Sequence, residues 1–267
     1  MKKKQWRGWG PAEPAEQHYL VQPRTLAGSG DVRHVSAFLR ASGWREHTRE
    51  GGPLIVESPD RTVRIAYDPY SLPGGWTIEG AADNLNGIWS AHLGRDVPVE
   101  IVAGLTDSLT LPRSAHAPNV WEPLEEQRWH TRAEGEHYTA TSPDGTAWMQ
   151  YRQSPDGSAR WWSGAMDSRG TAWTAIFTPT TPMHLVQAFS TALANPDPVM
   201  RPRGRVPLST QVRTWSVSVT PSQLNAWQQA RITAARAATW ARNSAQSTRP
   251  RTRARPSSPV GAARTRR

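Results

Sequence analysis

The decapeptide SPDRTVRIAY at positions 58–67 returns as SPDGTAWMQY at positions 142–151, 84 residues later. Sliding the chain on itself by that interval places Trp89 on Trp173, Ala91 on Ala175, Leu93 on Phe177 and Pro98 on Pro182. Ile101 then meets Leu185, Val102 meets Val186, Leu105 meets Phe189 and Leu109 meets Leu193. Trp44 and Trp129 extend the match with a shift of one residue. Apolar identity kept in register over about 65 residues means that one structural unit is built twice.

Within each unit the hydrophobic period assigns the elements. GWREHT and PLIVES predict two strands, and TVRIAY alternates Val63, Ile65 and Tyr67 against Arg64 and Ala66, the period of a half-buried strand. GWTIEG and GIWSAHL supply two more strands, the last with Trp89, Ala91 and Leu93 on one face. Apolar residues at 101, 102, 105 and 109 are spaced for an amphipathic helix that starts near Pro98. The second unit repeats the order with RWHTRA, HYTATS, TAWMQY, ARWWSGAM, TAWTAIFT and a helix over 182–194. A leading helix capped by Asp31 and stopped at Gly43 precedes the first unit, where the second has only VWEPLEEQRW. After the second unit, VRTWSVSV predicts a strand with Trp215, Val217 and Val219 on one face. Thr220-Pro221-Ser222-Gln223 then forms a capping box that opens an Ala-rich helix to about Asn243. The expected fold is α+β: a tandem duplication of a β-meander followed by one helix, in a pseudo-two-fold arrangement, plus a C-terminal strand and long helix. The expected divisions are an unstructured basic N-terminus (1–17), a first unit with its leading helix (18–113), a second unit (118–200), the C-terminal strand and helix (205–243) and an Arg-rich tail without structure (244–267).

Ser-Pro-Asp invites a chemical reading because it recurs. Pro presets the second position of a type I turn, and Asp and Gly suit the next two. Ser-Pro-Asp occurs a third time, as SPDG at 154–157, out of the repeat register, as expected of a favourable hairpin sequence and not of a catalytic triplet. Arg61 stands where the second copy has Gly145, so a left-handed backbone there strains the first copy's turn.

The two units and their motifs resemble the SPDY-domain family of streptomycetes. The likeness covers YLVQPRTLAGSGD, SPDRTVRIAYDPY, WSAHLGRDVPVEIVAGLTDSL, RSAHAPNVW and TTPMHLVQAFSTAL. That family is a domain of unknown function, so the resemblance implies the duplicated architecture and an actinobacterial host, and supplies no reaction and no catalytic residue.

Composition narrows the function classes. There is no Cys, which excludes disulfides, thiolate metal sites and thiol catalysis. The first residues are basic but have no apolar run behind them, and no stretch approaches the ~18 apolar residues of a membrane span, so a cytoplasmic chain is expected. The net charge of +10 is concentrated at the ends. Lys2, Lys3, Lys4 and Arg7 lie at the start, and Arg249, Arg251, Arg253, Arg255, Arg264, Arg266 and Arg267 lie in an acid-free tail, leaving 8–243 close to neutral. The seven tail arginines are candidates for non-specific nucleic-acid contact, with a log–log salt slope approaching about −6 if each neutralises one phosphate.

No catalytic, cofactor or metal constellation emerges. The eight His (18, 34, 47, 92, 116, 130, 137 and 184) form no close ligand pair. LAGSGD before the leading helix lacks the Gly-Lys-Ser/Thr of a phosphate loop, and Ser29 lacks the spacing of a nucleophile elbow. The copies differ in aromatics instead. Strand alternation puts Trp148, Trp161 and Ile176 on the outer face of the second unit, where the first has Arg64 and His92. That face is expected either to be covered by the C-terminal strand and helix or by the first unit, or to bind a protein partner or a second copy. The function expected is a non-enzymatic binding or regulatory module with basic tails. The alternative is an enzyme with a site in the cleft between the units.

Overall fold

A computed structural model describes residues 13–81, 87–112, 116–153 and 158–247, with side chains as far as Ala241. The N-terminal Lys cluster, the third Ser-Pro-Asp and the arginines of the tail lie outside the described residues.

The first unit has a leading helix α1 (Arg33–Ala41) and five strands: β2 (Arg45–Glu46), β3 (Leu54–Glu57), β4 (Val63–Asp68), β5 (Gly75–Ala81) and β6 (Ile88–Leu93). It closes with α2 (Val99–Ser108). The second unit repeats this as α3 (Glu122–Glu126), β7 (His130–Glu134), β8 (His137–Thr141), β9 (Ala147–Gln153), β10 (Ala159–Asp167), β11 (Gly170–Phe177) and α4 (Met183–Ala194). The unit expected from the sequence is therefore present twice.

The units join edge to edge. Strand β6 pairs antiparallel with β11, making one ten-stranded sheet in the order β2-β3-β4-β5-β6-β11-β10-β9-β8-β7. His92 lies opposite Ile176, and these are each other's repeat partners, so the pseudo-two-fold passes between them. Leu93 opposite Ala175 and Ala91 opposite Phe177 obey the same symmetry. The helices cover one face of the sheet, with α2 against α4 at the centre, α1 beside α2 and α3 beside α4. Close approach at the centre requires a small residue: a methyl on Gly104 of α2 would overlap the methyl of Ala192. One continuous core results, with Ile65, Ile78, Leu93, Ile101, Leu105, Met149, Phe177, Leu185, Phe189 and Leu193 all but fully buried. Phe177 and Phe189 meet edge to face at 5.0 Å.

Both leading helices end in the same way. The amide of Trp44 donates to the Leu39 carbonyl and that of Trp129 to the Leu124 carbonyl, each at 3.0 Å. The preceding residue is left-handed in both, Gly43 at φ +92° and Arg128 at φ 59°. VWEPLEEQRW is thus the same helix, five residues long instead of nine.

A separate three-stranded sheet lies outside the repeat. Strand β1 (Glu16–Gln22) sits between β12 (Val199–Pro202) and β13 (Arg213–Val219), both antiparallel to it. Strand β1 begins inside the stretch expected to be unstructured. Its partners lie nearly 200 residues away, and no local pattern announces them. The capping box is formed as expected: the Thr220 amide donates to the Gln223 side-chain oxygen at 2.9 Å, and the Gln223 amide to the Thr220 hydroxyl at 3.3 Å. Helix α5 runs over Pro221–Ser247, four residues beyond its expected end, and packs on α1, with Ile232 and Ala235 buried.

A candidate binding pocket in the second unit

Both Ser-Pro-Asp segments are turns. The Ser58 hydroxyl donates to the Asp60 carboxylate at 2.6 Å and accepts the Val63 amide at 2.9 Å. Ser142 does the same with Asp144 and Ala147, at 2.6 and 2.9 Å. Each Asp also accepts the amide and the hydroxyl of the Thr two residues on, and the Ser58 hydrogen bond, followed by those from Thr62, holds the Asp60 carboxyl below its usual range. Neither Ser is left for chemistry. Arg61 is left-handed at φ 60°, as is Gly145 at φ 71°.

The aromatic difference between the units sits on the core side of the sheet. Each unit stacks a Tyr on a Trp there: Tyr67 on Trp76 at 4.6 Å and Tyr151 on Trp161 at 4.8 Å. The second unit adds two rings. Trp121, at the start of α3, lies 5.1 Å from Trp161 and 6.1 Å from Tyr138, and Tyr138 lies 6.3 Å from Tyr151. Their counterparts in the first unit are Ser36 and Leu54. The four rings, with Pro118, Asn119, Pro179 and Met183, line a cavity of about 350 Å³ that is open to solvent. In the first unit Tyr67 lines a different cavity with Val32, Arg33, His34 and Val99. In the second, α3 begins only at Glu122, and Pro118, Asn119 and Met183, the counterparts of Arg33, His34 and Val99, line the aromatic cavity.

Trp161 is a correction to the outer-face set. It lies opposite Tyr151 and Phe177, both core-facing, and is 6% exposed. Trp162 takes the outer position, opposite Gln150 and Ile176. The cause is one extra residue between β9 and β10. Trp76 lies nine residues after Tyr67, but Trp161 lies ten after Tyr151, and a one-residue slip turns every side chain to the other face. The following hairpin is one residue shorter, and a bulge at Ala165/Met166 restores the interval of 84 by Trp173.

Trp148 and Ile176 do lie on the outer face. Trp148 packs over Gly164, where an added methyl would lie 2.8 Å from the indole, and Ile176 is 40% exposed. A single row crosses this face through Ile55, Ala66, Thr77, His92, Ile176, Trp162, Gln150, Thr139 and Arg132. Neither covering expected for it is found: β13 pairs with β1, and α5 packs on α1.

The model of the SPDY domain, a domain of unknown function (DUF317), matches the chain twice, over residues 57–115 and 141–199. The chain carries the SPDY domain twice. No curated protein and no solved structure matches it. Each SPDY match opens on its Ser-Pro-Asp turn and runs through α2 or α4. Tyr151 and Trp161 therefore lie inside the second SPDY match, and Trp121 and Tyr138 lie before it.

A second cavity, of about 890 Å³, lies between the first SPDY unit, the small sheet and α5. Its charges are largely paired. Arg201, 2% exposed, grips both oxygens of Glu100 at 2.6 and 2.7 Å and donates to the carbonyls of Ala27 and Gly28. Burial works against the Glu100 charge, and Arg201 overcomes it, holding the carboxyl below its usual range. Arg231 of α5 makes a two-pronged pair with Asp107 at 2.8 and 2.9 Å and lies 4.2 Å over the Phe38 ring. Burial pushes Asp107 up to about 6 against the pull of Arg231. Burial, then Arg231, brings His34 down to about 4. These groups fasten the small sheet and α5 to the first unit. Sequence reasoning missed them because their partners lie about 100 residues apart or more. Of the other His, His92 marks the pseudo-two-fold, and no metal-binding group of three or more His, Cys, Asp or Glu occurs among the described residues. No helix among them is long and apolar enough to cross a membrane.

Proposed function

We propose that this chain is a non-enzymatic binding module whose site is the aromatic pocket of the second SPDY unit, and that its ligand is an extended, proline-containing peptide segment. The observation that carries this reading is the cluster of four rings that lines the second unit's cavity, where the first unit has Ser36 and Leu54 in place of two of the rings. Tyr and Trp rings side by side, with one ring tilted out to solvent, form the kind of surface on which proline rings dock with little loss of chain entropy. The alternative, an enzyme working between the units, meets a junction made of strand pairing on one side and the Gly104–Ala192 contact on the other.

The test is binding of proline-rich decapeptides to the full chain, followed by Trp fluorescence. Tyr138→Ala, a change at a 43% exposed ring, is expected to weaken binding about tenfold. Trp148→Ala on the outer face is expected to leave it unchanged. The opposite result would move the site to the open face of the sheet.

The charge distribution favours a second activity, in which the C-terminal arginines hold nucleic acid without sequence preference. A full-length variant with those seven arginines changed to Gln is expected to lose retardation of duplex DNA at low salt. Undiminished retardation would remove the tail as the cause.

A further inference from the structure

The outer face of the sheet changes character from one unit to the other. In the first unit Arg64 lies opposite Glu57 on one side and Glu79 on the other, a row of alternating charge. The counterparts in the second unit are Thr141, Trp148 and Gly164, paired in the same register. The Trp148 indole lies against Gly164, which leaves it room by having no side chain. Thr77 is replaced by Trp162, half-buried between Gln150 and the exposed Ile176. Asp68, which accepts the Tyr70 and Ser71 amides, is replaced by Arg152, and Gly75 opposite it by Arg160. A solvated, mixed-charge face in one copy is an aromatic and basic face in the other.

Arg152 and Arg160 therefore lie directly opposite each other on adjacent antiparallel strands. Both are exposed, and neither forms an ion pair among the described residues. Glu134, at the end of the same row beyond His137, is already paired with Arg132. Like charges at opposed positions destabilise a sheet, and an anion beside them relieves the repulsion. Trp162 follows Arg160 by two residues along β10, and Trp148 is its diagonal neighbour on β9. With a rise of about 3.3 Å per residue, the Arg row, the Trp162 row and the Trp148 row succeed one another about every 7 Å. Charge at one end and two rings in file on a flat pleat suit a chain of planar groups joined by negative ones.

We propose that the outer face of the second unit is a binding surface for single-stranded nucleic acid, with Arg152 and Arg160 on the phosphates and successive bases stacked on Trp162 and Trp148. Duplex is disfavoured because its bases stack on one another and cannot reach the rings. The surface is separate from the four-ring cavity, which lies on the core side of the sheet, and from the tail.

The experiment uses the full chain with each of the seven tail arginines changed to Gln, so that the tail does not supply the binding. A fluorescein-labelled single-stranded DNA 12-mer is titrated at low salt, and its anisotropy is followed. Adding Arg152→Ala and Arg160→Ala, both at exposed positions, is expected to weaken binding at least tenfold. If each arginine neutralises one phosphate, the log–log salt slope becomes shallower by about 1.4. Trp162→Ala is expected to weaken binding at least threefold, and Trp162→Phe to restore most of it. The 12-mer annealed to its complement is expected to bind at least tenfold more weakly than the single strand. Unchanged affinity after loss of the two arginines would overturn the proposal, as would duplex binding as tight as single-strand binding. Loss of all binding once the tail arginines are gone would also overturn it and leave the tail alone as the nucleic-acid contact. A poly-Glu peptide that competes as well as the 12-mer would make the partner an acidic protein instead.

Discussion

The first SPDY unit has a nine-residue leading helix and a cavity beside Tyr67 lined largely by polar and charged residues, whereas the second has a five-residue helix and a cavity lined by four rings. The sheets beneath are nearly the same, and so are the turns, the closing helices and the helix stops at Trp44 and Trp129. Around the pocket the units diverge in the length of the lead and in Ser36 against Trp121 and Leu54 against Tyr138. A duplicated fold can keep one copy for packing and vary the other. The first copy also receives the small sheet and α5 through Arg201–Glu100 and Arg231–Asp107. Position 184 in the second copy, the counterpart of Glu100, is His.

Four measurements would break or sharpen that comparison. The largest effect is expected at the helix crossing. Gly104→Val should cost about 3 kcal/mol by overpacking against Ala192, whereas Ala188→Gly at the symmetric position should cost about 1 kcal/mol, the helix propensity of Gly. Equal losses in chemical denaturation would mean that the crossing is not asymmetric.

The next concerns His34, whose counterpart in the second unit is Asn119. Its folded pKa of about 4 lies below the ordinary 6.5, so its contribution is present above pH 6.5 and is lost as the pH falls toward 4. Arg231, Glu100, Arg201 and Asp31 are the charged groups that act on it. Asp107, raised to about 6, drives stability in the opposite sense over an overlapping window, so the difference between His34→Asn and wild type isolates the His. That variant should gain on wild type by about 2 kcal/mol between pH 7.5 and 4.5. A difference that does not change with pH would remove the buried imidazole as its source.

Ser58→Ala and Ser142→Ala should each cost about 1–2 kcal/mol, and the same within a few tenths, because the two turns make the same hydrogen bonds. The smallest effects should be gains. Arg61→Gly and Arg128→Gly relieve left-handed residues whose repeat partners, Gly145 and Gly43, are already glycine, and each should raise stability by about 0.5–1 kcal/mol in thermal melts.

Much of the fold was legible because it is local. The strands of both meanders, both closing helices, the capping box and the turns each rest on a period or a short signature within a few residues. The pocket was only partly legible. Tyr151 and its repeat partner Tyr67 align without a gap, but Trp161 was assigned to the wrong face. The extra residue before β10 cannot be located from a repeat interval that is restored twelve residues after Trp161, at Trp173. Trp121 carried no pattern, since α3 is too short to show a helical period. Its position between Val120 and Leu124, which match Val35 and Leu39 at the shift already set by Trp44 and Trp129, was the signal available.

By itself the sequence determined that one unit is built twice, which local elements make it, and that the positive charge lies at the ends, because periodicity, turn chemistry and charge are properties of neighbouring residues. Only the tertiary structure decided that the units share a single sheet through β6 and β11, that β1 finds its partners near the other end of the chain, and which face each Trp of β10 occupies. Those outcomes depend on strand register and on pairings between distant segments, where a single inserted residue turns a side chain from solvent into the core.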